Sequence, residues 1–479
     1  MLLRADKIKK EYGVQEIFDI ERIEIKDGAR IGLVGRNGIG KSTLLGVLSG
    51  RIAADEGRVK RYCEASEIRQ DSLADGELEE QYISRMGLRG SAVKSGGEKM
   101  RLAIATAFSM HTSLLFADEP TTNLDIDGVR MLEKMLKGYR GAVVLVSHDR
   151  KLLDDVCNQI WELEDGHLRT FDGNYSEWVE QKKREREFQQ FEYDQFRKEK
   201  KRMERATLEI ESEAKSMTKP PRKMGRSEWM LYKGIATQQQ RNVSNRGAAM
   251  KSRMSHLEKK EKPVQLPNVS MKGMHMTRIK AKYAAKIENL TVRFDGAVVL
   301  NDAELLVESG KKTFLTGENG AGKSTIVRAM IEKRPGTFIT EDAMTGYFSQ
   351  DLMELMEDKT VLENVLYDAA EPEHICRAVL ANLYISREDL NKKVSVLSGG
   401  ERVKTALAKI LVSGANFYIL DEPTNHMDIY TMEGLEKMLA DFEGTLLIVS
   451  HDRMLVEKLA DEVYEISGGK CRKMNKKTV

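Results

Sequence analysis

The chain has 479 residues, 41% hydrophobic and 32% charged, with a formal net charge of only +2. That length allows two or three domains with cores of their own, and the composition is that of a water-soluble globular protein. Apolar runs such as "AVVLVS" and "TLLIVS" have the length of buried strands, not membrane helices, and the opening "MLLRADKIKKEYG" lacks the apolar core of a signal peptide. Cys63, Cys157, Cys376 and Cys471 are scattered without CxxC spacing. This argues against a disulfide or metal framework and for reduced thiols in the cytoplasm.

In chain order, the first element that carries chemistry is the apolar strand "ARIGLVG", which leads into "GRNGIGKST" at Gly35–Thr43. In this GxxxxGK[ST] pattern, Gly35, Asn37, Gly38 and Gly40 let successive backbone N–H groups face a β-phosphate, helped by a helix N-terminus. Lys41 then reaches the β- and γ-phosphates, while Ser42, next to Thr43, offers a hydroxyl to Mg²⁺. "SGGE" follows, with Ser95, Gly96 and Gly97. The continuous apolar run "SLLFADE" reads as a strand of a parallel sheet buried on both faces. It ends in Asp118, placed for Mg²⁺, and Glu119, placed to polarise an attacking water. His148 lies in "VSHDR" after the next apolar strand.

The whole series then recurs. "GENGAGKST" supplies Gly317, Asn319, Gly320, Gly322, Lys323, Ser324 and Thr325; "SGGE" supplies Ser398, Gly399 and Gly400. "NFYILDE" ends in Asp421 and Glu422, and a second "VSHDR" holds His451. From "SGGE" to "VSHDR" every motif returns 303 positions later, whereas the glycine loops are 282 apart. Two homologous domains account for this, the second being longer between its glycine loop and "SGGE".

Between the copies the composition changes. Ser176–Lys286 holds 28 Lys and Arg against 14 Asp and Glu, a net of +14, which leaves the rest of the chain at −12. Ser176–Ala214 contains no Pro or Gly and is dense in helix formers, so it reads as one long helix of about 60 Å. "KPPRKMG" stops it, and a second helical segment over about 236–262 runs to Pro263 and Pro267. The expectation is a helical hairpin with its bend at Lys219–Gln240 and a basic tip near 215–240. Lys219, Arg222, Lys223, Met224, Arg226, Trp229, Met230, Tyr232 and Lys233 interleave cations with apolar and aromatic groups, as suits phosphate contact and stacking on unpaired bases.

"SGGE", "DEPTTNLD", "DEPTNHMD" and "SHDR" resemble the signature, Walker B, D-loop and switch motifs of ABC-type ATPases. The resemblance implies an α/β fold: two tandem ABC-type P-loop ATPase domains at 1–175 and 284–479, joined by a long α-helical hairpin linker at 176–283. It assigns Gln70 and Gln350 to the Q-loops beside Mg²⁺, Tyr12 and Phe294 to stacking on adenine, and His148 and His451 to the switch. It also implies a head-to-tail pairing in which Lys41 shares one ATP with Ser398–Gly400, and Lys323 shares the other with Ser95–Gly97. ATP would then close the pair and hydrolysis release it. Lys94 stands where the second copy has Leu397, a departure that separates the two signatures.

The basic helical linker and the missing membrane spans further resemble the ABC-F family. The stretch from Q-loop to signature is 25 residues in the first copy and 48 in the second. That leaves no room for the inserted arm of housekeeping members and is similar to the antibiotic-resistance (ribosomal protection) branch. The resemblance implies a cytoplasmic ATPase without membrane subunits, a monomer whose cassettes pair within one chain. Its partner would be the ribosome: the tRNA exit site, large-subunit rRNA and exit- or peptidyl-site tRNA. The linker would then work near the peptidyl-transferase centre to relieve antibiotic inhibition. The alternatives are a housekeeping ABC-F translation factor, a twin-cassette ATPase subunit of a membrane transporter, and a DNA-binding protein.

Overall fold

In a computed structural model of the protein, the described residues are 1–69, 79–86, 96–216, 226–256, 260, 267, 271–272, 276–294, 297–349, 355–425 and 427–474. The chain divides into two compact units. Met1–Trp178 and Leu266–Val479 together form one, and Val179–Gln265 forms the other.

The first unit holds the repeat. One six-stranded sheet runs in the order Ala65–Ile68, Leu114–Asp118, Ala142–Val146, Arg30–Val34, Gln159–Glu164, His167–Asp172. The second runs Thr345–Phe348, Phe417–Asp421, Thr445–Val449, Lys312–Gly317, Glu462–Ser467, Lys470–Met474, the same order strand for strand. In each, the first five strands are parallel and the last pairs antiparallel. The central runs are apolar because helices cover both faces: Leu114–Ala117 and Phe417–Leu420 are buried almost completely. A three-stranded antiparallel sheet accompanies each, built from Leu3–Tyr12, Gln15–Ile25 and Glu56–Arg61 in the first copy. In the second copy it comprises Tyr283–Phe294, Ala297–Glu308 and Thr337–Ile339. Strand order reverses around Arg30–Val34 and Lys312–Gly317, so each glycine loop leaves the carboxyl edge of its sheet where α/β proteins bind ligands.

The second unit is helical. Helix Tyr175–Ser216 spans 42 residues, its first turn belonging to the other unit, and helix Arg226–Ser255 spans 30. Pairs such as Arg184–Glu180 at 2.6 Å and Arg202–Glu199 at 3.6 Å lace the exposed face of the first helix. The helices run antiparallel: Lys251 meets Glu211 at 2.7 Å, and Lys260 lies 3.6 Å from Glu192. A Cβ on Gly247 would stand 3.3 Å from Ile210 Cγ2, so the absent side chain lets the backbones approach.

Here the structure departs from the sequence expectation. The second helix begins at Arg226, not near 236. "RSEWMLYKGIATQQQ" contains no proline, and Gly234 meets nothing within 4 Å, so its cost is a fraction of a helix's stability. Arg226, Trp229, Met230, Tyr232 and Lys233 are therefore helical rather than part of a bend, with Met230 78% exposed. Lys219, Arg222, Lys223 and Met224 lie outside the described residues, as do the side chains of Arg226, Trp229, Tyr232 and Lys233. Among the described residues no helix is long and apolar enough to cross a membrane.

Candidate nucleotide-binding sites

Both glycine loops are built alike. Gly40 and Gly322 cap the following helices, Lys41–Ser49 and Lys323–Ile331, with φ of 106° and 103°. A side chain is excluded there twice over: by the left-handed backbone, and by packing, since a Cβ on Gly40 would lie 2.3 Å from Ile17 Cγ2. Lys41 Nζ donates to the carbonyls of Gly35 (2.9 Å) and Arg36 (3.0 Å). Lys323 Nζ does the same to Gly317 (2.9 Å) and Glu318 (3.0 Å). Burial lowers the pKa of both amines, and the facing carboxylates, led by Glu119 and Glu422 respectively, oppose it.

The carboxylates follow from strand geometry. Asp118 and Asp421 end their strands; Glu119 and Glu422 come next in the left-handed region, with φ of 47° and 50°. A non-glycine residue held there twice in corresponding places marks a position fixed for its side chain. Glu119 N donates to Val146 O at 2.9 Å and Glu422 N to Val449 O at 3.0 Å, which anchors the turn. Burial pushes the Glu119 carboxyl up to about 7, and burial likewise raises that of Glu422. His148 Nε2 and His451 Nε2 each lie 3.3 Å from the Oε1 of their glutamate. Burial, followed by the charge of Lys323, lowers the His451 imidazole to about 4, so it is neutral at pH 7.

The residues fit a Mg²⁺–nucleotide. Asp118 Oδ1 is buried with no hydrogen-bond partner, and its carboxyl bonds the Ser42 hydroxyl. An oxygen pair of this kind is what Mg²⁺ takes from a P-loop protein, the remaining positions being filled by phosphate and water. Ser324 and Asp421 occupy the same places in the second copy.

A cavity of 1380 Å³ runs between the cassettes. It brings together Asn37 and Gly38 of the first loop with Ser398, Gly399 and Gly400 of the second signature. Asn319, Gly320, Gly322, Lys323, Ser324 and Thr325 of the second loop line it too, as do Glu119, Glu422, His148 and His451. Ser398 caps helix Gly399–Leu411 in a capping box with Glu401, aiming a helix N-terminus into this space. Gly96 and Gly97 open helix Gly96–Ser109 and pack against Asn123 rather than lining the cavity. Gly35, Gly40, Lys41, Ser42, Thr43, Gly317, Asp118 and Asp421 are not among the lining residues. Tyr12 and Phe294 end hairpin strands at 52% and 67% exposure, away from the cavity lining. Gln70, Ser95 and Gln350 lie outside the described residues.

Sequence reasoning missed the contacts that join the cassettes. Asn37 N donates to Asp428 Oδ2 (3.4 Å), and Asn319 Nδ2 donates to Asn123 O (3.0 Å), so each glycine loop meets the other copy's D-loop. The Arg36 guanidinium lies 5.3 Å over the ring of Tyr384. In each copy a signature-helix cation holds the D-loop aspartate: Arg101 to Asp125 at 2.7 Å, Lys404 to Asp428 at 3.4 Å. The 303-residue offset relates these two pairs and was the signal that could have found them.

Comparison with known proteins agrees with this construction. Residues 19–86 and 300–425 match the ABC transporter family model, and a second ABC transporter model matches 161–230. The chain is 32% identical to the erythromycin resistance ATP-binding protein MsrA of Staphylococcus epidermidis, over 92% of each chain. It is 31% identical to the ribosome protection protein VmlR of Bacillus subtilis, over 98% of this chain and 88% of that one. It is 28% identical to ABC transporter F family member 2 of Arabidopsis thaliana, over 98% and 76%. With two cassettes, paired P-loops and relatives matched along nearly its full length, the chain belongs to the ABC-F family of ABC ATPases and hydrolyses ATP.

Proposed function

We propose that this ATPase binds ribosomes in its ATP-closed form, entering the tRNA exit site, and uses the helical linker near the peptidyl-transferase centre to relieve antibiotic inhibition. The observation that carries this reading is the segregation of charge: residues 176–286 carry +14, while the rest of the chain carries −12. A basic helical pair suits an RNA surface, where phosphate contacts dominate affinity, and a transporter subunit has no use for it. The names of the relatives VmlR and MsrA point the same way.

At each site, bound Mg²⁺–ATP supplies a γ-phosphoryl group whose charge the metal spreads. Ser42 and Asp118, or Ser324 and Asp421, would hold the metal. Lys41 and Lys323 shift from their loop carbonyls to the phosphates. Glu119 or Glu422, once ionised, accepts a proton from the attacking water through a carboxylate oxygen, and the neighbouring histidine holds that water in line. Ser398–Gly400 present a hydroxyl and helix-terminal N–H groups across the interface. Adenine would rest near Tyr12 and Phe294, and Gln70, Gln350 and Ser95 would complete the two sites.

The reading is tested by expressing the protein in a drug-susceptible bacterium and measuring growth inhibition across ribosome-targeting antibiotics. Protection against at least one, lost when Lys219, Arg222 and Lys223 become Gln, is the expected result. Ribosome binding without any protection would instead place the protein among general translation factors.

A further inference from the structure

The two "HDR" tripeptides reach across the cassette interface and grip each other. Arg150, two residues after His148, donates through Nη1 to Glu436 Oε2 at 2.6 Å and through Nη2 to Asp452 Oδ2 at 3.0 Å. Arg453, two residues after His451, mirrors it: Nη1 reaches Glu133 Oε2 at 3.0 Å and Nη2 lies 3.6 Å from Asp149 Oδ2. Glu133 and Glu436, Asp149 and Asp452, Arg150 and Arg453 are all 303 positions apart, so the cluster is self-complementary about a local two-fold. It is also buried. The Arg150 side chain is 1% exposed and that of Arg453 13%, and their four carboxylate partners are each at most 22% exposed.

Each aspartate serves two masters. Asp149 Oδ1 accepts from Leu152 N (2.9 Å) and caps its own helix, while Oδ2 faces the arginine of the opposite cassette. Asp452 does the same through Leu455 N (3.0 Å) and Arg150. The residue before each aspartate is the histidine 3.3 Å from its glutamate. The arginine of one switch motif therefore braces the peptide that carries the other site's histidine, and the arrangement is reciprocal.

We propose that Arg150 and Arg453 are positioning residues that form a cross-cassette latch, making closure and hydrolysis at the two sites one coupled event. Separating the cassettes takes both arginines away from all four carboxylates at once, while Glu133 keeps Lys137 and Glu436 keeps Lys458 within their own cassettes. Removing one member of such a buried cluster is costly, because it leaves the opposing charge buried and uncompensated. An arginine fork bridges two carboxylates, whereas lysine brings one point charge. The latch rests on the reading that ATP closes the pair before hydrolysis.

Closure is read from a fluorescence donor and acceptor on the two cassettes, together with ATP hydrolysis against ATP concentration. Arg150→Ala should raise the ATP needed for half-maximal closure at least about tenfold, and bring the Hill coefficient toward one. Arg150→Lys should recover only part of this. Arg453→Glu, at the more exposed end, should behave like Arg150→Ala, and adding Glu133→Arg should restore part of the parent response, Asp149 still facing the carboxylate at 453. That swap decides the matter if Arg150→Ala does not fold. Folded single variants that close and cooperate as the parent does, or a swap that restores nothing, would overturn the latch. A parent protein that does not close with ATP would overturn the reading beneath it.

Discussion

The two nucleotide sites share their machinery and differ in their walls. Lysine to loop carbonyls, glutamate in the left-handed region and histidine at 3.3 Å repeat within 0.1 Å and a few degrees. Around them the copies diverge. Arg36 of the first loop stacks on Tyr384, whereas the second loop has Glu318 in the place of Arg36. The first loop meets an aspartate side chain from the opposite D-loop, the second a backbone carbonyl. Chemistry set by a strand end and a tight turn is copied faithfully by the repeat. Contacts that depend on docking are free to drift, and they can give two chemically equal sites different affinities for ATP.

The largest effect expected is on the shared machinery. Changing both Glu119 and Glu422 to Gln should lower phosphate release by about 10²–10⁴-fold while ATP still binds at equilibrium. A fast double variant would remove these glutamates from the reaction. A pH profile sharpens the point. As the proposed proton acceptor Glu119 must be ionised, and burial pushes its carboxyl up to about 7. The ratio kcat/KM should therefore fall up to about tenfold per unit as pH drops below that value; a flat profile from pH 8 to 6 contradicts the assignment.

Smaller effects probe the differing walls. Arg36→Ala should weaken nucleotide-driven closure at the first site about two- to fivefold, the worth of one cation–π contact. Glu318→Ala, measured in parallel by ATP titration of closure, should do nothing comparable. The smallest is a stability change. A glutamate whose pKa is raised on folding contributes stability fully present below its unfolded value near 4.5 and lost as pH rises through about 7. Glu119→Gln should consequently raise the Tm of nucleotide-free protein at pH 8 by a few degrees, and change it little at pH 4.5.

What the sequence made legible was local. The glycine loops could be read because Gly40 and Gly322 are required by a left-handed cap. The central strands could be read because burial on both faces demands unbroken apolar runs such as Leu114–Ala117. Asp118 and Glu119 follow from where such a strand ends. The helix start at Arg226 was hidden because "KPPRKMG" marks where the first helix stops but not where the next begins, and Gly234 then costs that helix little. The grip of Arg150 on Glu436, 286 residues away, is set by how the cassettes dock and leaves no mark in either segment alone. Only the repeat offset relates it to Arg453 and Glu133.

The central claim is that nucleotide closes the paired cassettes into the form that engages the ribosome. Its most direct test is co-sedimentation of the Glu119→Gln, Glu422→Gln double variant with purified bacterial ribosomes. Stable pelleting with ATP and none with ADP or without nucleotide is the predicted result. Equal pelleting under all three conditions, or none under any, would contradict it.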